Sequence, residues 1–204
     1  MRVKRVVVIN DMTLTRGGAT ALAVLSAELL CASGVAVTFI TGDAGDAPDL
    51  AASGVEIIAA NGRELLQMGA VQAAVKGIHN PVGKALVADF IRHRDTPETV
   101  YHVHGWGQIL SPSIFQPLQR VAARTVVHCH DFFLACPNGV FFDFQKDLDC
   151  TRKPLGLACA LTHCDKRSYA QKGWRLARHG WFRHVFSQSA PWAAIVLIHP
   201  MMKP

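Results

Sequence analysis

The sequence contains no apolar run close to the roughly 20 residues that a membrane-spanning helix requires. Its apolar runs, such as residues 6–9 and 193–198, are far shorter. The basic start, residues 1–5, is similar to the beginning of a secretory signal, but only four apolar residues follow it, so the hydrophobic core of a signal peptide is missing. We therefore expect a cytoplasmic chain without a membrane span.

Charged residues are also few. Asp, Glu, Lys and Arg together make up 18% of the 204 residues, whereas hydrophobic residues make up 50%. Intrinsic disorder requires the opposite balance, so this composition excludes a disordered protein. A chain of this length and character can bury a full core, and we predict one globular domain over residues 1–204.

Two common ligand-binding motifs are absent. No GxGxxG fingerprint occurs, and the second predicted strand ends at Thr41 and Gly42 rather than at an acidic residue. Both facts disfavour an NAD-type oxidoreductase. No CxxC pair occurs either, so the usual spacing of a zinc knuckle is missing.

Strands and helices alternate along most of the chain. The first strand is a continuous β-branched run, which is typical of a central parallel strand buried on both faces. The predicted strands cover residues 2–10, 35–41, 55–59, 99–104, 125–129 and 193–199, the last of them buried. The predicted helices cover residues 19–32, 64–79, 82–93 and 111–123. This alternation predicts an α/β fold with a doubly wound, mostly parallel, Rossmann-like sheet.

Residues 132–167 break the alternation, and we interpret them as a cysteine-rich insertion within the domain. Four of the six cysteines lie here: Cys136, Cys150, Cys159 and Cys164. Four thiolates suit a structural zinc ion, but the intervals of 13, 8 and 4 residues leave disulfides or unlinked buried thiols as alternatives. A cytoplasmic location keeps thiols reduced, so disulfides are not the default. Cys31 and Cys129 are interpreted as small core residues.

The formal net charge of +6 comes entirely from residues 145–184. This basic segment has three aspartates and nine basic residues, whereas the acidic and basic residues of the rest of the chain cancel. The nine are Lys146, Arg152, Lys153, Lys166, Arg167, Lys172, Arg175, Arg178 and Arg183. The excess indicates a surface that faces phosphate, nucleic acid or an anionic membrane, and a solvated helix face is the alternative.

The loop between the first strand and the first helix is one candidate site. In an open parallel sheet, ligands bind beyond the carboxyl ends of the strands, where this loop begins. Gly17 and Gly18 allow the backbone to approach an anion, and the free N–H groups and dipole at a helix start favour phosphate. A plain tight turn is the alternative.

Four histidines lie at the ends of two further strands. His102 and His104 end one strand, and His128 and His130 end the next, followed by Asp131. Because side chains alternate along a strand, each pair lies on one face. Their repetition at the ligand-binding edge predicts a site where imidazole accepts a proton, binds a hydroxyl or neutralises phosphate. A metal site built from these pairs is the second interpretation, with Asp131 as the nearby carboxylate.

Four stretches carry a family resemblance: residues 6–10 (VVVIN), 17–19 (GGA), 100–106 (VYHVHGW) and 128–139 (HCHDFFLACPNG). Together they resemble the N-terminal domain of family 4 glycosyltransferases of the GT-B fold. The last stretch is similar to the HD(Y/F)xxxCPxG pattern of a subset whose loop also holds several cysteines. The resemblance extends over nearly the whole chain.

The resemblance implies a retaining enzyme that moves a sugar from a nucleotide diphosphate sugar to a glycan or lipid-linked acceptor. It implies that Gly17 and Gly18 approach the donor phosphates. His130 would be the catalytic histidine, in contact with the transferred sugar or the acceptor, and His104 a neighbouring acceptor-side or structural residue. Asp131, in the same motif, is a further substrate-binding candidate. Such enzymes require no metal cofactor, because positive side chains and helix N-termini offset the diphosphate charge.

The chain departs from this family in one large respect. In the family, the active site lies between two Rossmann-like domains, and the second domain holds most of the nucleotide-sugar contacts. That second domain is not among these 204 residues. We therefore expect little or no transferase activity from this chain alone, and uncovered apolar surface at the last strand and at Met201 and Met202.

The basic segment indicates two further kinds of partner, an anionic membrane or nucleic acid. Its aromatic residues, Trp174, Trp181 and Phe182, are interleaved with lysine and arginine, a composition that suits peripheral contact with an anionic membrane where lipid-linked acceptors lie. The competing interpretation is a zinc-containing nucleic-acid-binding module, with the insertion as the zinc element and the basic segment on phosphates. The transferase interpretation expects no nucleic acid.

Overall fold

Six parallel strands form the central sheet of the structure, a computed structural model that describes residues 3–15, 17–186 and 191–202. They are β1 (Arg5–Asn10), β2 (Ala36–Thr41), β3 (Glu56–Ala59), β4 (Thr99–Val103), β5 (Thr125–Cys129) and β8 (Ala194–Leu197). Their order across the sheet is β3-β2-β1-β4-β5-β8. This is the Rossmann order, which reverses between β1 and β4. The predicted α/β fold with a parallel sheet is confirmed.

Seven α-helices, joined by short 3-10 turns, are found in the described residues. They are α1 (Gly18–Ala32), α2 (Pro48–Ala52), α3 (Ala70–Ile78), α4 (Pro81–Arg94), α5 (Phe115–Leu118), α6 (Leu157–Leu161) and α7 (Tyr169–Phe186). Helices α1 and α2 contribute to the core on one face of the sheet, and α4, α5 and α7 to the core on the other. In the part of the chain that the structure describes, no helix is long and apolar enough to cross a membrane.

Strand β1 lies at the centre of both cores. Val7 and Ile9 pack in the larger core with residues of α4, α5 and α7, whereas Val6 and Val8 pack in the smaller core with α1. All four side chains are nearly or fully buried, as a continuous apolar run in a central parallel strand predicts. The sheet therefore holds the end of β1, where the polar residues begin, in a fixed position.

Helix α4 begins at a strong cap. The side chain of Asn80 accepts hydrogen bonds from the N–H groups of Val82 and Gly83, and Pro81 occupies the first helical position. Nδ2 of Asn80 also donates to the carbonyl oxygen of Ile109 at 2.7 Å. The start of α4 is thereby joined to the loop that follows β4.

Residues 132–167 form an irregular segment that contains α6 and a small antiparallel hairpin of β6 (Phe142–Asp143) and β7 (Leu148–Asp149). Two fully buried aspartates hold this segment. Asp143 pairs with Arg152 at 3.0 Å, and Asp165 pairs with Arg175 of α7 at 2.7 Å. Buried ion pairs therefore anchor a segment whose large apolar side chains are all at least partly exposed.

Two predicted helices are shorter than expected. The prediction for residues 64–79 was wrong at its start, because the backbone at Gly69 is extended and α3 begins only at Ala70, after a 3-10 turn at Leu65–Gln67. The prediction for residues 111–123 was also wrong in part. That stretch is a 3-10 turn, the four-residue α5 and a second 3-10 segment whose interior is non-helical at Val121. Pro117 has no N–H group to extend regular helical bonding.

The last strand was predicted to be buried, and this was wrong. Strand β8 lies at the edge of the sheet, paired with β5, and the side chains of Ile195 and Val196 are 47% and 37% exposed. Ile198, just after it, is 52% exposed. The other expectation for this strand, that it leaves apolar surface uncovered, is confirmed by these side chains. That expectation also named Met202, which is half-buried, and Met201, whose side chain lies outside the described residues.

Candidate functional site

A cleft of about 790 Å³ opens where the order of the strands reverses, between the carboxyl ends of β1 and β4. This volume is in the range of small-molecule binding sites, and the switch point is where open α/β sheets bind ligands. Residues from five elements line it, among them Asn10, Asp11, Ala19, Thr20, His104, Trp106, His128, His130, Asp131, Trp174, Arg175 and Arg178. The cleft is the candidate site.

Asp11 fixes one wall of the cleft. Its buried carboxylate accepts hydrogen bonds from the backbone N–H groups of Gln108, Ile109 and Leu110, at 2.6, 2.9 and 2.8 Å. Burial raises the pKa of this carboxyl group, while the three N–H groups and the charge of Arg178 oppose the rise. The end of β1 is therefore tied to the loop after β4, across the point where the strand order reverses.

Asn10 and Gly105 face each other at the floor of the cleft. Nδ2 of Asn10 donates to the carbonyl oxygen of Met12 at 2.7 Å and to Oγ1 of Thr20, the latter in the first turns of α1, at 3.3 Å. A Cβ atom on Gly105 would overlap Oδ1 of Asn10. Glycine is thus required here for the loop after β4 to pass close to the end of β1.

The four histidines form one cluster, of which His104, His128 and His130 line the cleft. Nδ1 of His104 lies 3.1 Å from Nε2 of His130, and Nε2 of His104 lies 3.3 Å from Nδ1 of His102. The ring of His128 stacks on that of His130, with centroids 4.5 Å apart. The two predicted pairs meet because β4 and β5 are adjacent parallel strands whose carboxyl ends share an edge.

Burial keeps these imidazoles neutral. Desolvation, and then the neighbouring rings, lowers the pKa of His102 and of His130 to about 4, and that of His104 even further. Desolvation also lowers the pKa of His128. Each neutral ring has one N–H donor and one nitrogen acceptor. The three linked rings therefore form a directed chain of hydrogen bonds, and both ring nitrogens of His104 are used in it.

Arg178 of α7 supplies the positive charge of the opposite wall. Its Nε donates to the carbonyl oxygen of Gly77 at 2.8 Å and its Nη2 to that of Gly107 at 2.6 Å. The guanidinium lies over the rings of Trp106 and Trp174, at 5.6 and 5.4 Å from their centroids. Desolvation lowers its pKa to about 10, which leaves it protonated at neutral pH. The sequence indicated a basic segment but not this placement.

The basic segment divides into outward and inward residues. The exposed members are Lys146, Lys153, Lys166, Arg167 and Arg183, of which Arg167 also lines the cleft. The other four are turned inward: Arg152 and Arg175 pair with buried aspartates, Lys172 is buried, and Arg178 lines the cleft. A fully solvated basic face, the simpler of the two interpretations of this segment, is therefore wrong for nearly half of its members.

The structure brings some of the predicted site residues into the cleft and leaves others outside it. His104, His130 and Asp131 line the cleft, and Oδ1 of Asp131 accepts a hydrogen bond from the N–H of Phe133 at 2.8 Å. Gly17 and Gly18 are exposed and do not line it; the next two residues of the chain, Ala19 and Thr20, do. The glycine pair therefore flanks the cleft at the start of α1.

Two of the four cysteines of the insertion contact a buried lysine. Nζ of Lys172 lies 3.0 Å from Sγ of Cys164 and 3.5 Å from Sγ of Cys159. Over residues 3–15, 17–186 and 191–202, the group of three or more side chains that could hold a metal ion is His102, His104 and His128. The zinc site predicted at Cys136, Cys150, Cys159 and Cys164 is not such a group, and it stays a prediction.

Comparisons with known proteins found no match for this chain. No protein-family model matches the chain, no curated protein matches it, and no solved structure matches it. The resemblance to a glycosyltransferase family therefore depends on the four sequence stretches alone, and the Rossmann-like fold on the strand order.

Proposed function

We propose that this chain is the N-terminal, acceptor-side domain of a retaining glycosyltransferase that moves a sugar from a nucleotide diphosphate sugar to a glycan or lipid-linked acceptor. The observation that carries the proposal is the cleft at the switch point, where His104 and His130 lie on the floor and Arg178 on the wall. A neutral imidazole suits a sugar hydroxyl, and a fixed guanidinium suits a diphosphate.

In this proposal, His130 contacts the transferred sugar or the acceptor. Nε2 of His130 is engaged by Nδ1 of His104, so His104 fixes the orientation and the tautomer of the ring that meets the substrate. Asp131, the next residue at the rim, would bind a further hydroxyl group. The reaction requires no metal ion at the diphosphate, because positive side chains and helix N-termini supply the compensating charge.

Two features would receive the donor phosphates. The first-turn N–H groups of α1, next to Gly17 and Gly18, have no carbonyl partners within the helix, and Ala19 and Thr20 bring this turn to the cleft. Arg178 approaches from the other side and keeps its charge at neutral pH. The second domain that the family resemblance implies would close over these groups and supply the rest of the donor contacts.

Peripheral contact with an anionic membrane stays a prediction of the proposal. Its cations would be the exposed Lys166, Arg167 and Arg183, because Lys172 and Arg175 are committed to the interior. The nucleic-acid alternative has less support for the same reason, since four of the nine basic side chains that it relies on are turned inward.

Ligand-observed NMR with the whole chain tests the proposal. The probes are UDP, GDP, UDP-glucose, GDP-mannose and a series of neutral oligosaccharides at millimolar concentration. We expect weak binding of nucleotide sugars or oligosaccharides. His130→Gln should weaken binding of the sugar-bearing probes at least tenfold and leave UDP and GDP unaffected, because His130 is assigned to the sugar rather than to the phosphates.

His93→Gln is the matched control, since His93 is an exposed histidine on α4, outside the cleft. The proposal is overturned if no probe binds, or if both variants behave alike. Sugar transfer by the chain alone would overturn one part of it, the assignment of half of the active site to another domain.

A further inference from the structure

The histidine cluster has a second feature besides its proposed contact with sugar. His102, His104 and His128 each offer one ring nitrogen, and these atoms all lie within 4.8 Å of one another. Two of the rings already have the spacing of metal ligands. Zinc–nitrogen bonds of about 2.0–2.1 Å in a tetrahedron place two ligand nitrogens roughly 3.3 Å apart. Nδ1 of His102 and Nε2 of His104 are separated by 3.3 Å.

We propose that His102, His104 and His128 bind one divalent late transition-metal ion, with zinc as the reference case. Three imidazoles without a carboxylate favour zinc, copper or nickel over magnesium and calcium, which prefer oxygen ligands. Three protein ligands leave a fourth position of the tetrahedron, as in catalytic zinc sites. The proposal goes beyond sugar transfer and does not depend on it.

His130 would orient the site from outside. A histidine ligand usually donates its second ring N–H to a neighbouring acceptor, which fixes the tautomer that binds the metal. Nδ1 of His104 lies 3.1 Å from Nε2 of His130 and has such a partner. If Nδ1 of His104 donates this hydrogen bond, Nε2 of His104 keeps its lone pair for the ion. His130 of the proposed sugar site would thus hold one metal ligand, His104, in position.

One further observation supports binding. Nδ1 of His128 is buried and has no hydrogen-bond partner within the described part of the chain. A buried ring nitrogen without a partner is uncommon, and a bound ion would use its lone pair.

Cobalt(II) titration of the chelator-treated, reduced whole chain tests the proposal. Cobalt replaces zinc in tetrahedral sites, and its absorption spectrum separates nitrogen from thiolate ligands. We expect one ion per chain, visible bands of tetrahedral cobalt, and no thiolate charge-transfer band, which would instead mark the cysteines of the insertion. Zinc should displace the cobalt.

Variants then assign the ligands. His128→Gln should weaken cobalt binding about 100-fold, and His130→Gln about 10- to 100-fold, the range for residues that form hydrogen bonds to metal ligands. His93→Gln and the double variant Cys159→Ser/Cys164→Ser should leave the affinity unchanged. Copper(II) electron paramagnetic resonance of the unaltered chain keeps the proposal testable if a variant fails to fold, because three coupled nitrogens are expected.

Three results would each overturn the assignment. They are a cobalt spectrum dominated by thiolate bands, an affinity that His128→Gln does not change, and copper bound without coupled ring nitrogens. A chain that binds neither cobalt nor copper would also overturn it, and the cluster would then be a hydrogen-bonded histidine chain alone.

Discussion

The ammonium group of Lys172 lies 3.0 Å from the sulfur of Cys164 inside the protein, where both side chains are buried. Nζ of Lys172 also lies 3.5 Å from the sulfur of Cys159. Replacing a buried charged group by an apolar one of similar shape is often neutral, whereas truncating it leaves a cavity. We therefore expect Lys172→Met to change the free energy of unfolding by less than about 1.5 kcal/mol, and Lys172→Ala to lower it by about 3 kcal/mol.

Urea unfolding followed by circular dichroism measures both values. Lys166→Met, at an exposed lysine of the same segment, is the control and should change the stability by less than about 0.5 kcal/mol. If Lys172→Met were as costly as Lys172→Ala, the charge itself would be essential, and the two sulfurs would have to act as its anionic partners.

Asp11 should be among the most sensitive polar positions of the fold. Asp11→Ala leaves the three backbone N–H groups of Gln108, Ile109 and Leu110 without their acceptor, in a buried place. Each such loss costs about 1–3 kcal/mol, so we expect a destabilisation of at least about 3 kcal/mol in chemical denaturation. Asp11→Asn keeps one acceptor oxygen and should cost less. Asp46→Ala, at an exposed aspartate, provides the comparison, and equal effects at both positions would contradict this role.

Gly105 should not tolerate a side chain, although its neighbour Gly107 should. A methyl group on Gly105 would overlap Oδ1 of Asn10 and disturb the hydrogen bond from Asn10 to Met12. At Gly107 the same methyl group would meet only Arg178, at an ordinary contact distance of 3.7 Å. We expect Gly105→Ala to lower the stability by about 1–3 kcal/mol and Gly107→Ala by less than about 1 kcal/mol, measured by urea unfolding. Equal costs would show that the close approach to Asn10 is not limiting.

The protein should lose stability in mild acid because of His179. Desolvation, followed by the charges of Arg183 and Arg178, lowers the pKa of this buried ring to about 4, against 6.5 when unfolded. Below pH 6.5 the unfolded chain therefore binds a proton that the folded chain does not, so stability falls as the pH falls from 6.5 to 4. The share of His179 is about 3 kcal/mol.

His179→Phe removes this titration and should make the pH dependence of the melting temperature between pH 6.5 and 4 less steep, while the four histidines of the cleft, whose pKa burial also lowers, maintain the rest of it. His184→Phe, at an exposed histidine of the same helix, should not. An unchanged pH profile in His179→Phe would mean that the ring is already protonated in the folded protein, or that its pKa is close to 6.5.

The fold was predictable because its signals are local. The valine run of β1 and the regular spacing of the other strands and helices require only side-chain periodicity, and the strand order agrees with the Rossmann-like expectation. The helix at residues 111–123 was not predictable in the same way. Buried contacts of Ile114, Phe115 and Leu118 hold a sequence there that is interrupted by Pro117.

Of the candidate site, only the four histidines could be predicted from the sequence. The paired spacing of His102 with His104, and of His128 with His130, places them at two strand ends, and the sheet order then joins them. Arg178 is different, because its position depends on how α7 packs beside α3 and the loop of Trp106, which are distant in the sequence. Neither periodicity nor composition distinguishes it from the exposed cations near it.

The four imidazoles lie at the ends of two strands, so the geometry of the rings does not depend on the residues at the rim of the cleft. Neighbouring strands in a sheet are held about 4.8 Å apart by their backbone ladder, whatever the loops beyond them contain. The spacing of the four rings is thus set by the sheet, which the hydrophobic core holds in place. The rim of the cleft, in contrast, can accept insertions and substitutions. A lineage of such domains could exchange one ligand for another by altering the rim while the ring geometry stayed constant.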